Sequence, residues 1–204
     1  MTRLSTSVLF LLLCLFAAQV LAKPGTVLVL GDSLSAGYGI PRGQDWVSLL
    51  QQRLDGSDQA YRVINASITG DTTHGGLTRL PAALQRHHPE IVLVELGGND
   101  GLRGLDLATT RDNLRAMIHL ARQAGARVLL LGLRLPANYG KVYADRFHAV
   151  YTELAASENA ALVDFFLEGV AETTELMQPD GIHPSARAQP RILDNVWEGL
   201  EPLL

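Results

Sequence analysis

Five residues in this 204-residue chain have types and spacings that could together carry out acyl transfer. Ser33 follows the apolar run "VLVL" (27–30) by way of Gly31 and Asp32. Gly70 stands in "NASITGD" (65–71), Asn99 in "GGND" (97–100), and Asp180 and His183 lie three apart in "DGIHP" (180–184). A serine hydroxyl attacks a carbonyl only when a base removes its proton, and that base needs a partner to hold its tautomer. Ser33 is the candidate nucleophile, His183 the general base and Asp180 the orienting carboxylate. A spacing of three in a tight turn lets a carboxylate reach the ring Nδ1. The tetrahedral oxyanion needs donors, and the backbone N–H groups of Ser33 and Gly70 with the side-chain amide of Asn99 can supply three. Glycine at 70 leaves the backbone open to close approach.

Taken singly, each piece has an ordinary explanation. A serine after a strand is commonly a helix cap. "GGND" makes a turn as readily as a site, and Asp180 could merely cap the turn that holds His183. Asp32 reads as a brace for the turn rather than as the triad acid. The conjunction is what carries meaning, because each piece supplies a different part of one site.

Elements must bring these loops together. Near-continuous apolar runs at 26–30, 61–65, 91–96, 127–133 and 161–165 have the composition of strands covered on both faces. Amphipathic stretches separate them. Trp46, Leu49, Leu50 and Leu54 share one helical face; Leu114, Met117, Ile118 and Ala121 share another, ending at Gly125. Tyr143, Phe147, Val150, Tyr151 and Leu154 share a third, and 191–200 reads as a closing helix. Five β-α units imply an α/β fold with a doubly wound parallel sheet. Ligands then bind beyond the carboxyl ends of the strands, where the winding reverses. With strand order 2-1-3-4-5, the loops after strands one, two and three converge, and they carry Ser33, Gly70 and Asn99.

In this order, GDS with Ser33, Gly70, Asn99 and the Asp180/His183 pair resemble the sequence blocks of the SGNH (GDSL) hydrolase superfamily. "NASITGDTTHGGLTRLP", "VELGGNDGLRG" and "LRLPANYG" are similar to its bacterial periplasmic thioesterase I/lysophospholipase and arylesterase subgroup, over essentially the whole of residues 23–204. The resemblance implies a flavodoxin-like three-layer α/β/α fold with a five-stranded parallel sheet. It implies hydrolysis of acyl esters and thioesters with no metal or other cofactor, and it assigns the family's roles to Ser33, Gly70, Asn99, Asp180 and His183.

Composition narrows the partners. A net charge of −4 with scattered Lys and Arg leaves no basic footprint for nucleic acid. "GLRG" (101–104) is too short for a dinucleotide fingerprint, and His74, His87, His88, His119 and His148 lack ligand spacing. Arg3, the apolar stretch 8–18 and "VLA" (20–22) read as a secretory signal cleaved after Ala22. The apolar run is too short for a stable membrane anchor, so the expected location is periplasmic or secreted. Cys14 is the single cysteine and lies in that segment, which leaves 23–204 with neither a thiol nucleophile nor a disulfide. The expected partner is a small-molecule acyl ester or thioester. Two other readings stand beside it: a carbohydrate O-acetylesterase on the same fold, and a non-enzymatic acyl-binding protein. "RLPANYG" (134–140) either lines the acyl pocket or is only a loop shaped by Pro and Gly.

Overall fold

In the computed structural model, which describes residues 24–58 and 60–204, five parallel strands form one sheet. They are β1 (Gly25–Gly31), β2 (Tyr61–Asn65), β3 (Ile91–Glu95), β4 (Arg127–Leu131) and β5 (Ala161–Val163), in the order β2-β1-β3-β4-β5. The proposed cleavage site at Ala22 lies outside the described residues. Every residue of β1 and of β3 is buried, as their unbroken apolar runs require for strands sandwiched between helical layers.

Among the described residues, seven α-helices connect and cover the sheet: α1 (Ser33–Ala36), α2 (Trp46–Asp55), α3 (Thr73–His87), α4 (Gly98–Leu102), α5 (Leu107–Gln123), α6 (Lys141–Glu158) and α7 (Gln189–Leu200). Asp45 and Asp106 cap α2 and α5 by accepting from backbone N–H groups three residues on, which satisfies donors a helix start leaves free. Helix α2 packs against α7, while α3 packs against α5 and α5 against α6. The helical faces read from the sequence are those that bury. Trp46, Leu50 and Leu54 are inaccessible or nearly so, as are Leu114, Met117, Ile118 and Ala121, and Phe147, Tyr151 and Leu154.

Three strands end earlier than their apolar runs, β3 by a single residue, at Glu95 rather than 96. β4 stops at Leu131 rather than 133, and β5 at Val163 rather than 165. At Gly132 a Cβ would fall 2.2 Å from the Asp164 carbonyl, so a residue without a side chain is required where β4 leaves the sheet. Leu133 and Phe165 are apolar because they face a cavity above the strand ends, not because they continue the strands. The winding reverses at β1, which has β2 on one side and β3 on the other, and this places the first three loops around one crevice. Gly31 and Glu95 are register partners, so a carboxyl group lies directly beside the turn that carries Ser33.

Candidate active site

The turn after β1 is built by three constraints. A Cβ on Gly31 would meet Glu95 Oε2 and Ser35 at 2.8 Å, so only glycine lets the strand end that close to its neighbours. Asp32 then caps α1, its Oδ1 accepting the Leu34 N–H at 3.1 Å, the bracing role its position suggests. Helix α1 ends after one turn at Gly37, with φ of +75°. Ser33 is left at the start of the turn, 8% exposed.

His183 reaches it from the far end of the sequence. Its Nε2 lies 2.9 Å from Ser33 Oγ, and its Nδ1 lies 2.7 Å from Asp180 Oδ2. Asp180 Oδ1 accepts the backbone N–H groups of Ile182 and His183, and Gly181 with φ of +67° closes the turn. The N–H of His183, its imidazole and the N–H of Ile182 together hold the Asp180 carboxyl down to about 2. A carboxylate so supplied with donors stays ionised and able to accept from Nδ1–H. The Tyr38 ring packs 4.5 Å from the His183 ring, centre to centre. Gln178 Nε2 donates to the carbonyls of Tyr38 and Pro184, and the Gln178 N–H donates to the His183 carbonyl. That side chain ties the histidine loop to the loop after α1.

Asn99 stands at the start of α4, behind Gly97 with φ of +114°. Its amide donates to Asp32 Oδ2 and to the Asp71 carbonyl, both at 2.9 Å. Its Oδ1 accepts from Arg103 Nη2 at 3.3 Å, and the same nitrogen donates to the Gly70 carbonyl at 3.0 Å. Gly70 adopts φ of +80°, while the nearest atom to a Cβ there would be 3.8 Å away. The left-handed backbone is therefore what requires glycine, rather than crowding. Asp100 secures the loop from behind, accepting the Thr73 N–H at 3.0 Å and hydroxyl at 2.5 Å at the start of α3.

Beneath this layer are two buried carboxyls. Glu95 Oε2 accepts the Ser35 hydroxyl at 2.7 Å and the Asp32 N–H at 3.3 Å, while Oε1 has no partner. Burial lifts the Glu95 carboxyl well above the usual carboxylate range, and the neighbouring Asp32 adds to the effect. Burial also raises Asp32 to about 6, against hydrogen bonds from the Leu34 N–H and the Asn99 amide and the field of His183.

Ser33, Asn99 and His183 line a cavity of about 610 Å³ whose walls are Leu102, Leu133, Leu135, Phe165, Leu167 and Met177. Arg134, Leu135 and Pro136, at the start of the "RLPANYG" segment, are among its lining residues. Asp180 supports His183 from behind, and Gly70 joins the site through Arg103 and Asp71. All five residues picked from the sequence thus belong to one connected network. Glu95, Gln178 and Arg103 join it, and neither residue type nor spacing marks them for these roles. Among the described residues no group of three His, Cys, Asp or Glu side chains is placed to hold a metal ion, and no helix is long and apolar enough to cross a membrane.

Residues 29–189, which span most of the sheet and the serine turn at its reversal point, match the GDSL-like lipase/acylhydrolase family. The chain belongs to that family and is an enzyme. It is similar to esterase TesA of Pseudomonas aeruginosa, 54% identical across 95% of this chain and 96% of the relative. It is also similar to thioesterase 1/protease 1/lysophospholipase L1 of Escherichia coli K12, 46% identical across 96% of this chain and 91% of the relative. The crystal structure of the psychrotrophic esterase EstA from Pseudoalteromonas sp., inhibited by monoethylphosphonate, superposes with a TM-score of 0.83. It is 40% identical and covers 87% of this chain and 97% of that one.

Proposed function

We propose that residues 23–204 form an exported serine esterase, released by loss of a signal at 1–22, that cleaves carboxylic esters and thioesters of acyl chains through an acyl-enzyme. Aryl esters, lysophospholipids and acyl thioesters are its substrates. The observation that carries this reading is the hydrogen-bonded line from Ser33 Oγ through His183 to Asp180, with contacts of 2.9 and 2.7 Å, opening on an apolar cavity.

Ser33 Oγ attacks the substrate carbonyl carbon as His183 Nε2 takes its proton, and Asp180 accepts from Nδ1–H and stabilises the imidazolium. The oxyanion is met by the N–H groups of Ser33 and Gly70 and by the Asn99 amide. The C–O or C–S bond breaks, and the leaving alkoxide or thiolate receives the proton from His183. Water, deprotonated by His183, then attacks the acyl-enzyme, and the collapse of the second tetrahedral intermediate returns Ser33 and releases the acid. The oxyanion donors need only a carbonyl and the cavity only an acyl chain, so the leaving group is loosely specified.

Phe165 is the one Phe, Tyr or Trp among the cavity-lining residues. This suits an alkyl chain better than the aromatic platforms of a sugar site. The test is a hydrolysis panel of p-nitrophenyl esters from C2 to C16, a lysophospholipid, an acyl thioester and, as the competing substrate, an acetylated sugar on the mature protein, with Ser33→Ala as reference. Turnover of all three classes that Ser33→Ala abolishes is expected. Comparable activity in the folded Ser33→Ala protein, or cleavage of acetylated sugar alone, refutes the reading.

A further inference from the structure

One guanidinium touches the chain segments that carry the oxyanion donors. Arg79 lies in α3, its side chain 21% exposed. Its Nε donates to Asp71 Oδ2 at 2.7 Å, its Nη1 to the Ala66 carbonyl and its Nη2 to the Gly31 carbonyl at 3.1 Å. Gly31 is two residues before Ser33. Asp71 directly follows Gly70, and its carbonyl accepts the Asn99 amide. Each donor assigned to the oxyanion is therefore one or two bonded steps from the same cation.

We propose that Arg79 is a positioning residue for the oxyanion site, holding the Ser33 turn, the Gly70 loop and, through Asp71, the Asn99 side chain at a fixed spacing. The proposal rests on the hydrolase reading above. The chemistry asks for arginine specifically. A planar fork with five N–H donors can serve a carboxylate and two carbonyls in different directions, whereas an ammonium is a point charge on a flexible stem. The seat of α3 does not depend on this contact, since Leu80 and Leu84 are buried in the core. The Gly31 carbonyl already accepts the Ile68 N–H at 3.0 Å. Arg79 adds a second donor to the same oxygen and thereby joins helix α3 to both segments. Donors fixed in place before reaction act on the developing charge of the transition state rather than on the bound ester. Loosening them therefore lowers kcat and leaves KM largely unchanged.

The experiment compares the wild-type protein with Arg79→Lys, Arg79→Met and Ser33→Ala on p-nitrophenyl butyrate, with thermal melting of each. Lysine can keep the pairing with Asp71 but cannot reach both carbonyls as well, so Arg79→Lys is the deciding variant even where Arg79→Met fails to fold. A cooperative melt with kcat reduced about tenfold or more is expected, a modest displacement of reacting groups being enough for such a loss. KM should stay within about twofold. Asp71→Asn should reduce kcat in the same way, and the double variant with Arg79→Lys should lose less than the product of the two, because both act through one contact network. A smaller loss of kcat in Arg79→Lys, a change confined to KM, or an Arg79→Lys chain that no longer melts cooperatively overturns the assignment. In those cases a dead Ser33→Ala leaves the esterase reading standing. An active Ser33→Ala instead removes that reading itself.

Discussion

The side-chain amide of Asn99 lies 2.9 Å from Asp32 Oδ2, and its second N–H is taken by the Asp71 carbonyl at the same distance. A primary amide has two hydrogens, so both are engaged before substrate arrives. In the proposed mechanism an oxyanion would share or displace one of these acceptors, which hold the amide in place in the free protein. Asn99→Ala removes the donor and leaves Asp32 with the Leu34 N–H alone. It should lower kcat by roughly 10²–10³-fold, the usual effect of one oxyanion donor, with KM moving much less. Steady-state kinetics on an aryl ester checks this; a large KM change with kcat untouched would make Asn99 a ground-state binding residue.

Asp32 also shapes the acid limb of activity. Burial raises its carboxyl to about 6, and only the ionised form gives Asn99 a full acceptor and faces His183 with a negative charge. His183 must itself be unprotonated to act as the base. Two protonations therefore act against turnover in acid. The slope of log kcat/KM against pH should exceed one at low pH in the wild type and return to one in Asp32→Asn. Equal slopes in the two proteins would mean that Asp32 does not titrate in the working range.

The same pair of carboxyls sets a pH dependence of stability. A carboxyl raised above its unfolded value, about 3.9 for Asp and 4.3 for Glu, binds its proton more tightly in the folded state. Its stabilising protonation is complete below the unfolded value and is lost as pH rises through the folded one. For Asp32 the window runs from about 4 to about 6; for Glu95 it opens near the ordinary Glu value of about 4.3 and runs upward from there. Glu95→Gln keeps a carbonyl oxygen for Ser35 and Asp32 and cannot ionise, so denaturant midpoints should fall less as pH rises from about 5 to about 9 than in the wild type. Glu95→Ala should instead cost about 2–4 kcal/mol, since it leaves a cavity and two unpaired donors. An identical pH course in the wild type and Glu95→Gln would show that Glu95 does not ionise differently on unfolding.

What the sequence discloses and what it hides have physical reasons. Strands β1 and β3 read clearly because burial on both faces leaves an unbroken apolar run. The loops that carry Ser33, Gly70 and Asn99 fall where the sheet order places them, after β1, β2 and β3, whereas His183 reaches Ser33 from the turn before α7. Glu95 goes unmarked in the run 91–96, because nothing in a strand's local pattern distinguishes a buried acid that faces a neighbouring glycine 64 residues away. Arg79 has no cluster of basic neighbours to mark it, and its partners Gly31 and Ala66 present only backbone carbonyls. Gln178 acts through the carbonyls of Tyr38 and Pro184, which likewise have no signature in residue type. The overshoot at Leu133 and Phe165 has a related cause, because a cavity wall and a sheet interior demand the same residues.

Nucleotide recognition in the leaving group can be tested against the disposition of the cations near the site. A coenzyme A thioester carries phosphates that favour free basic side chains. The three arginines nearest the motif loops are already committed. Arg79 is paired with Asp71 and two carbonyls, Arg103 donates to Gly70 and Asn99, and Arg134 is paired with Asp164 at 2.8 Å while lying over the Phe165 ring. Capturing a phosphate would require breaking one of these contacts, and for Arg79 or Arg103 that means loosening the loop that presents Gly70. Palmitoyl-CoA and a palmitoyl thioester lacking the nucleotide should therefore be hydrolysed with kcat/KM values within about tenfold of each other, a difference below roughly 1.4 kcal/mol. Measuring both thioesters below their critical micelle concentrations decides it. A preference for the CoA form beyond that limit would show that one of the three arginines leaves its protein partner to bind phosphate, and the double comparison with Arg134→Gln would identify whether it is the one at the cavity rim.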